Sequence, residues 1–149
     1  MSVSRKVLCL VYGLIAVLAL MGTWGNNVAY LHLGFLDVAL TFLQDTLANP
    51  ASRSITVDLF FLSLAVVVWM VLEARRLGMR GVWLYSLFGI LIAISVTVPI
   101  FLINRERVLA TREPSSSAGT MRTADLVGLI AIGVAVIAYA ATTLFGSKS

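Results

Sequence analysis

The sequence predicts an all-α, polytopic membrane protein with four transmembrane helices plus a short amphipathic interfacial helix. Three observations carry that expectation. The 149 residues are 60% hydrophobic and 12% charged, about half the charged share of a soluble domain, and the mean hydropathy is +0.99. Four apolar runs approach the ~20 residues needed to cross a bilayer. The basic residues sit at the ends of those runs, so the net charge of +4 is a topological signal and not a nucleic-acid patch.

Arg5 and Lys6 precede an uncharged run from Val7 to Thr23. A basic start and an apolar centre also describe a secretory signal, but the run exceeds a signal core of roughly 7–15 residues and no small-x-small cleavage pattern follows. It is read as a retained first span, with Trp24 and Tyr30 at the far interface. Gly13, Ala16 and Ala19 give it a small-residue face for packing. Cys9, the single cysteine, excludes an intrachain disulfide and reads as a small buried hydrophobe.

Gly25-Asn26-Asn27 breaks the pattern. From Phe35 to Ala48 the period is helical, with Leu36, Leu40, Leu43 and Leu47 on one face and Asp37, Thr41, Gln44 and Asp45 on the other. Each Asp at a bilayer centre costs about 2.5–3.5 kcal/mol, so this stretch is expected to lie at the interface. A polar face of Asp and not Lys or Arg suggests that it rests on the protein's own helices or on the outer surface. Asn49-Pro50 is expected to end it, with Ser52 and Ser54 as N-cap candidates for the next helix.

The second span covers Ile55 to Ala74, placing Asp58 in its first turn, where the helix dipole favours a carboxylate. It closes on Glu73-Ala-Arg75-Arg76-Leu-Gly78, with cations in the last turn and glycine at C′. The short connection Gly78–Gly81 makes this span and the next antiparallel neighbours. A third span runs from Val82 to Ile103, with Trp83 and Tyr85 at its entrance, a small face of Gly89, Ala93 and Thr97, and a bend at Pro99.

Residues 1–108 thus form a three-span membrane domain. Residues 109–123, with Pro114 and three consecutive serines, read as a flexible linker. Residues 124–149 hold a fourth span, Ala124 to Phe145, and a short tail. Ala124, Gly128, Ala131, Ala135, Ala138 and Thr142 fall on one face at alternating steps of four and three, a helix-packing seam.

With four crossings and a cytoplasmic N-terminus, Arg5, Lys6, Arg75, Arg76, Arg80 and Lys148 lie inside, and Arg53, Arg105, Arg107, Arg112 and Arg122 outside: six against five. A fifth crossing by the amphipathic stretch would give seven against four, a better positive-inside bias. Burying two Asp and a Gln costs more than that asymmetry recovers, so four crossings are expected.

The candidate functional polar residues are Asp37, Asp45, Asn49, Asp58, Glu73 and Arg76. Asp58 and Glu73 lie about 22 Å apart along one helix, too far for a carboxylate pair. Glu73 and Arg76 are three apart on one face and read as an interfacial ion pair. Asp58 reads as a cap, a polar contact to another helix, or a proton or ion site. His32, the single histidine, reads as a solvated or capping loop residue. No nucleophile elbow, P-loop, dinucleotide fingerprint or zinc motif occurs, so no catalytic residue, cofactor or metal ligand is assigned.

Phe42, Asp45, Ala48-Asn49-Pro50-Ala51-Ser52, Asp58, Glu73-Ala74-Arg75-Arg76-Leu77-Gly78-Met79, Trp83 and Pro99 together resemble a bacterial family of small multi-pass membrane proteins, domain of unknown function 2834. The similarity covers residues 5–108 and leaves the fourth span as an extension. It implies a bacterial inner membrane location and supplies no activity.

Two function classes follow. One is a non-enzymatic membrane protein acting through helix–helix contacts, as a small subunit or self-associating bundle. The other is a small oligomeric transporter or channel using Asp58 or the acidic helix. The expected partners are the lipid bilayer and either a second copy or another membrane protein; no nucleic acid is expected.

Overall fold

The computed structural model describes residues 3–112 and 123–145, in which all regular structure is helical. Six helices follow in order: α1 (Val3–Asn27), α2 (Phe35–Asp45), α3 (Pro50–Arg76), α4 (Val82–Phe88), α5 (Ile94–Arg112) and α6 (Thr123–Phe145). The segments Val3–Tyr30, Pro50–Arg76, Val82–Arg112 and Thr123–Phe145 are long and apolar enough to cross a membrane. The chain is a multi-pass, membrane-embedded helical protein, as expected. Leucine, valine, isoleucine and phenylalanine side chains cover much of its outer surface, which is stable against lipid and not against water.

The third of these segments is not straight. In a continuous α-helix Tyr85 and Asn104 would lie about 28 Å apart, yet the Asn104 amide hydrogen-bonds the Tyr85 hydroxyl. The Tyr85 and Phe101 rings meet edge to face at 5.5 Å. Between them the backbone reverses through a wide π-helical turn, Gly89–Ala93. A Cβ on Gly89 would stand 3.0 Å from Thr97 Oγ1, so glycine is what lets α4 and α5 close on each other. The expected small face of Gly89, Ala93 and Thr97 is therefore the inside of a hairpin, and the reversal falls there and not at Pro99, which is buried within α5.

Asn49 and Pro50 start α3 instead of merely ending α2. Asn49 is extended, its side chain accepts from the Ser52 N–H at 2.9 Å, and Pro50 occupies the first turn. Ser52 and Ser54, the expected caps, lie inside the helix. Asp58 consequently sits beyond the first turn, where the dipole no longer favours it. The far end of α3 closes as expected. Gly78 takes φ 60°, its N–H reaches Arg75 O, and the Met79 N–H reaches Ala74 O at 2.8 Å, the paired bonds of a Schellman cap.

The buried core gathers Met70 and Ala74 of α3, Val82 of α4 and Phe101 of α5, with Trp69 edge-on to Phe101 at 5.8 Å. Helix α1 lies antiparallel along α5, joined at one end by Arg5–Glu106 and at the other by Trp24 Nε1–H donating to Ile92 O at 3.2 Å. The last turns of α6 rest on the end of α1, where the Asn26 amide reaches Thr143 Oγ1 at 3.4 Å.

One end of the bundle thus collects the start of α1, the end of α3, the start of α4 and the end of α5. The other collects the end of α1, α2, the start of α3 and the end of α6. The cations group by bundle end differently from the expected grouping. Arg105, Arg107 and Arg112 lie at the end that holds Arg5, Arg75, Arg76 and Arg80, and a Cβ on Gly78 would stand 3.0 Å from Arg112 Nη2. Counting charges along straight helices could not show this, because the hairpin returns its second arm to the side it left. Helix α5 also runs through residues 109–112 of the expected linker. The rest of that linker before Thr123, and the tail after Phe145, lie outside the described residues.

Candidate functional site

Side chains from three helices meet at the first of these ends. Glu73, near the C-terminus of α3, takes Arg76 Nε at 2.7 Å and Arg76 Nη2 at 2.8 Å, one turn on. It also takes Arg105 Nε of α5 at 2.7 Å. Arg105 Nη1 then donates to the adjacent Glu106 at 2.7 Å, and Glu106 accepts from Arg5 Nη1 of α1 at 2.9 Å. The result is an alternating chain, Arg5–Glu106–Arg105–Glu73–Arg76, that ties α1, α5 and α3 together. Arg5 and Glu106 are each only 4% exposed, so water does little of the stabilising and the partner charges must.

The expected Glu73–Arg76 pair is there, but it is the outer edge of a larger network. Sequence reasoning missed Arg5, Arg105 and Glu106. The signal that could have found them was the placement of a lone acid, Glu106, between Arg105 and Arg107 after an apolar run. Chemically the network is saturated: each carboxylate accepts from two guanidinium groups, and arginine does not give up its proton. It is built to clamp helices and has no acid or base left over for catalysis.

The acidic stretch lies at the opposite end. Asp37 is in the first turn of α2. Asp45, in its last, accepts from Tyr30 Oη at 2.6 Å, and Tyr30 packs edge to face on Phe42 at 5.7 Å. Tyr30, Phe42 and Asp45, with Thr46, Ser52, Ile55 and Thr56, line a shallow open groove between α2 and the start of α3. Asn49 uses its side-chain carbonyl as the α3 cap. Asp58 is exposed on α3, and no hydrogen bond or ion pair reaches it among the described residues. No contact joins Asp37, Asp45 and Asp58, and among the described residues no three His, Cys, Asp or Glu gather as a metal site requires.

The apolar face of α2 does not rest on the protein's own helices, one of the two expected placements. Leu36, Leu40, Leu43 and Leu47 are all exposed, while Val38 and Thr41 turn inward. The leucine row therefore faces the surrounding medium, as an interfacial helix presents its apolar side to lipid. On α6, Ala124, Gly128, Ala131, Ala135 and Ala138 are also exposed. The face that meets α1 is a different one, through Ala140, Thr143 and Leu144.

A family model described as a protein of unknown function, DUF2834, matches residues 11–107. The match takes in α2, α3, the hairpin and all of the ion-pair chain except Arg5, and it stops before α6. No curated protein and no solved structure matches this chain.

Proposed function

Because this chain belongs to the DUF2834 family, whose description names no activity, we infer its role from its own geometry: a non-enzymatic membrane protein acting through helix–helix contacts, as a small subunit or self-associating bundle. The observation that carries this reading is the uncovered seam of α6. A Cβ on Gly128 would meet nothing within 4 Å, and Ala124, Ala131, Ala135 and Ala138 are also exposed. In a bilayer, lipid tails are as apolar as leucine, so a row of small residues gains nothing against lipid. It gains close backbone approach and dispersion contact against another helix. The saturated ion-pair chain points the same way, since it clamps and does not react.

The membrane is read as a bacterial inner membrane with the N-terminus on the cytoplasmic side. The clustering of Arg5, Lys6, Arg75, Arg76 and Arg80 at one end supports that side. Self-association is tested by cysteine cross-linking in native membranes with Cys9→Ser as background. Ala131→Cys and Ala135→Cys are expected to form disulfide-linked dimers on mild oxidation, and Ile132→Cys is not. Gly128→Leu should abolish the dimer. Equal cross-linking around the whole helix, or none on any face, would remove the self-association reading.

One observation favours transport as a second reading. Asp58 is an exposed carboxylate on the apolar body of α3 that no hydrogen bond or ion pair reaches among the described residues, and an ionisable group within an apolar span is a candidate for an ion or proton path. Asp58→Asn should then abolish proton-coupled flux in reconstituted vesicles while leaving the fold intact. Flux that is unchanged, or absent from the parent protein, would sink it.

A further inference from the structure

We propose that Val82–Arg112 does not cross the bilayer but enters and leaves it on the side that holds the N-terminus, as a re-entrant hairpin, so that only α1, α3 and α6 span. Length gives the first argument. Helix α4 has 7 residues, about 10 Å of rise against a hydrocarbon core of about 30 Å. The apolar part of α5, Ile94 to Ile103, adds about 15 Å before Asn104, Arg105 and Glu106 bring it back to polar groups. Neither arm by itself is long enough to cross, and the two run in opposite directions.

Backbone satisfaction gives the second. Irregular backbone at membrane depth is tolerated only where protein covers it. The hairpin tip meets that condition. Ile92 O accepts from the Trp24 indole at 3.2 Å. Thr97 Oγ1 donates toward Ala93 O and Ile94 O at 3.5 and 3.4 Å. Trp24, expected at the far interface, donates to a carbonyl of the turn.

Charge gives the third. Among the described residues, Arg5, Lys6, Arg75, Arg76, Arg80, Arg105, Arg107 and Arg112 lie at one end and Arg53 at the other, eight cations against one. A straight third crossing would move Arg105, Arg107 and Arg112 across and leave five against four. The hairpin thus restores the positive-inside asymmetry that four crossings lacked. It also removes the motive for pushing the acidic α2 through the membrane. The ion-pair chain locks the base: Arg105 and Glu106 cannot reach Glu73 and Arg5 from the other leaflet.

Membrane-impermeant maleimide labelling of single cysteines, in the full chain with Cys9→Ser, tests this. Ser4→Cys reports the N-terminal face and Ala51→Cys the opposite one. Ser116→Cys, between α5 and α6, is expected to label with Ser4, and Ser147→Cys with Ala51. Ser116 labelling with Ala51 would overturn the hairpin, because it requires a third crossing by Val82–Arg112; Ser147 labelling on the same face as Ser116 would overturn the crossing by α6. The assignment rests on the pairing of sites. If Ala51 proves to be the cytoplasmic face, only the orientation read from charge fails.

Discussion

Glu106 lies 101 residues from Arg5 in the chain yet accepts its Nη1 at 2.9 Å, and it simultaneously takes Arg105. Such a residue costs free energy when buried alone and stabilises when both guanidinium groups are present. Glu106→Gln removes the charge that two arginines use, and the expected loss is about 3–5 kcal/mol, read as a lower thermal midpoint in detergent. Arg76 belongs to the same chain, but its side chain is 63% exposed, so Arg76→Ala should cost no more than about 1 kcal/mol. Equal losses for the two variants would contradict the ranking by burial. Asp58 is the opposite case at this scale, an exposed charge with no ion pair among the described residues.

Among the elements, the α4–α5 hairpin departs furthest from what periodicity implies. A run of apolar residues from Val82 onward is long enough for a straight span, and a stripe of small residues four apart is what a packed membrane helix shows. Whether such a stripe faces a separate helix or closes a turn depends on partners that local sequence does not contain. Here Thr97 is the partner of Gly89. Gly89→Leu should therefore destabilise by about 1–3 kcal/mol through overpacking, measured by thermal unfolding in detergent. Gly13→Leu should be near neutral, because a Cβ there meets nothing within 4 Å. A harmless Gly89→Leu would mean that the tip is open.

At the scale of the whole molecule, α1, α3, α4 and α5 form one clamped unit, and α6 is loosely added to it. The clamped unit holds the buried core, the ion-pair chain and both interhelical bonds of the hairpin. None of the apolar span of α6 is buried within the chain. A chain ending at Arg112 is expected to keep its helical content and thermal midpoint while losing any self-association, checked by circular dichroism and by sizing in mild detergent. A collapse of the midpoint would show that α6 is integral to the fold. The family match ends at residue 107, which fits the same division.

The sequence by itself determined the membrane habitat, the helical class, the C-terminal cap of α3 and the family resemblance. Those depend on local quantities: hydropathy summed over a span, a glycine at C′ with cations before it, and an acidic period incompatible with a crossing. It also found Glu73 with Arg76, because their partnership is one turn long. It misjudged Asp58 by a single capping choice, since Asn49 and Ser52 or Ser54 are equally good caps until the backbone selects one. Only the tertiary structure decided that Val82–Arg112 folds back, that Arg5, Glu106 and Arg105 join Glu73, and that eight described cations share one end. These are contacts between residues 19 to 101 apart, and their free energy depends on which helices meet. Hydropathy is the same for a span that crosses and for one that turns back.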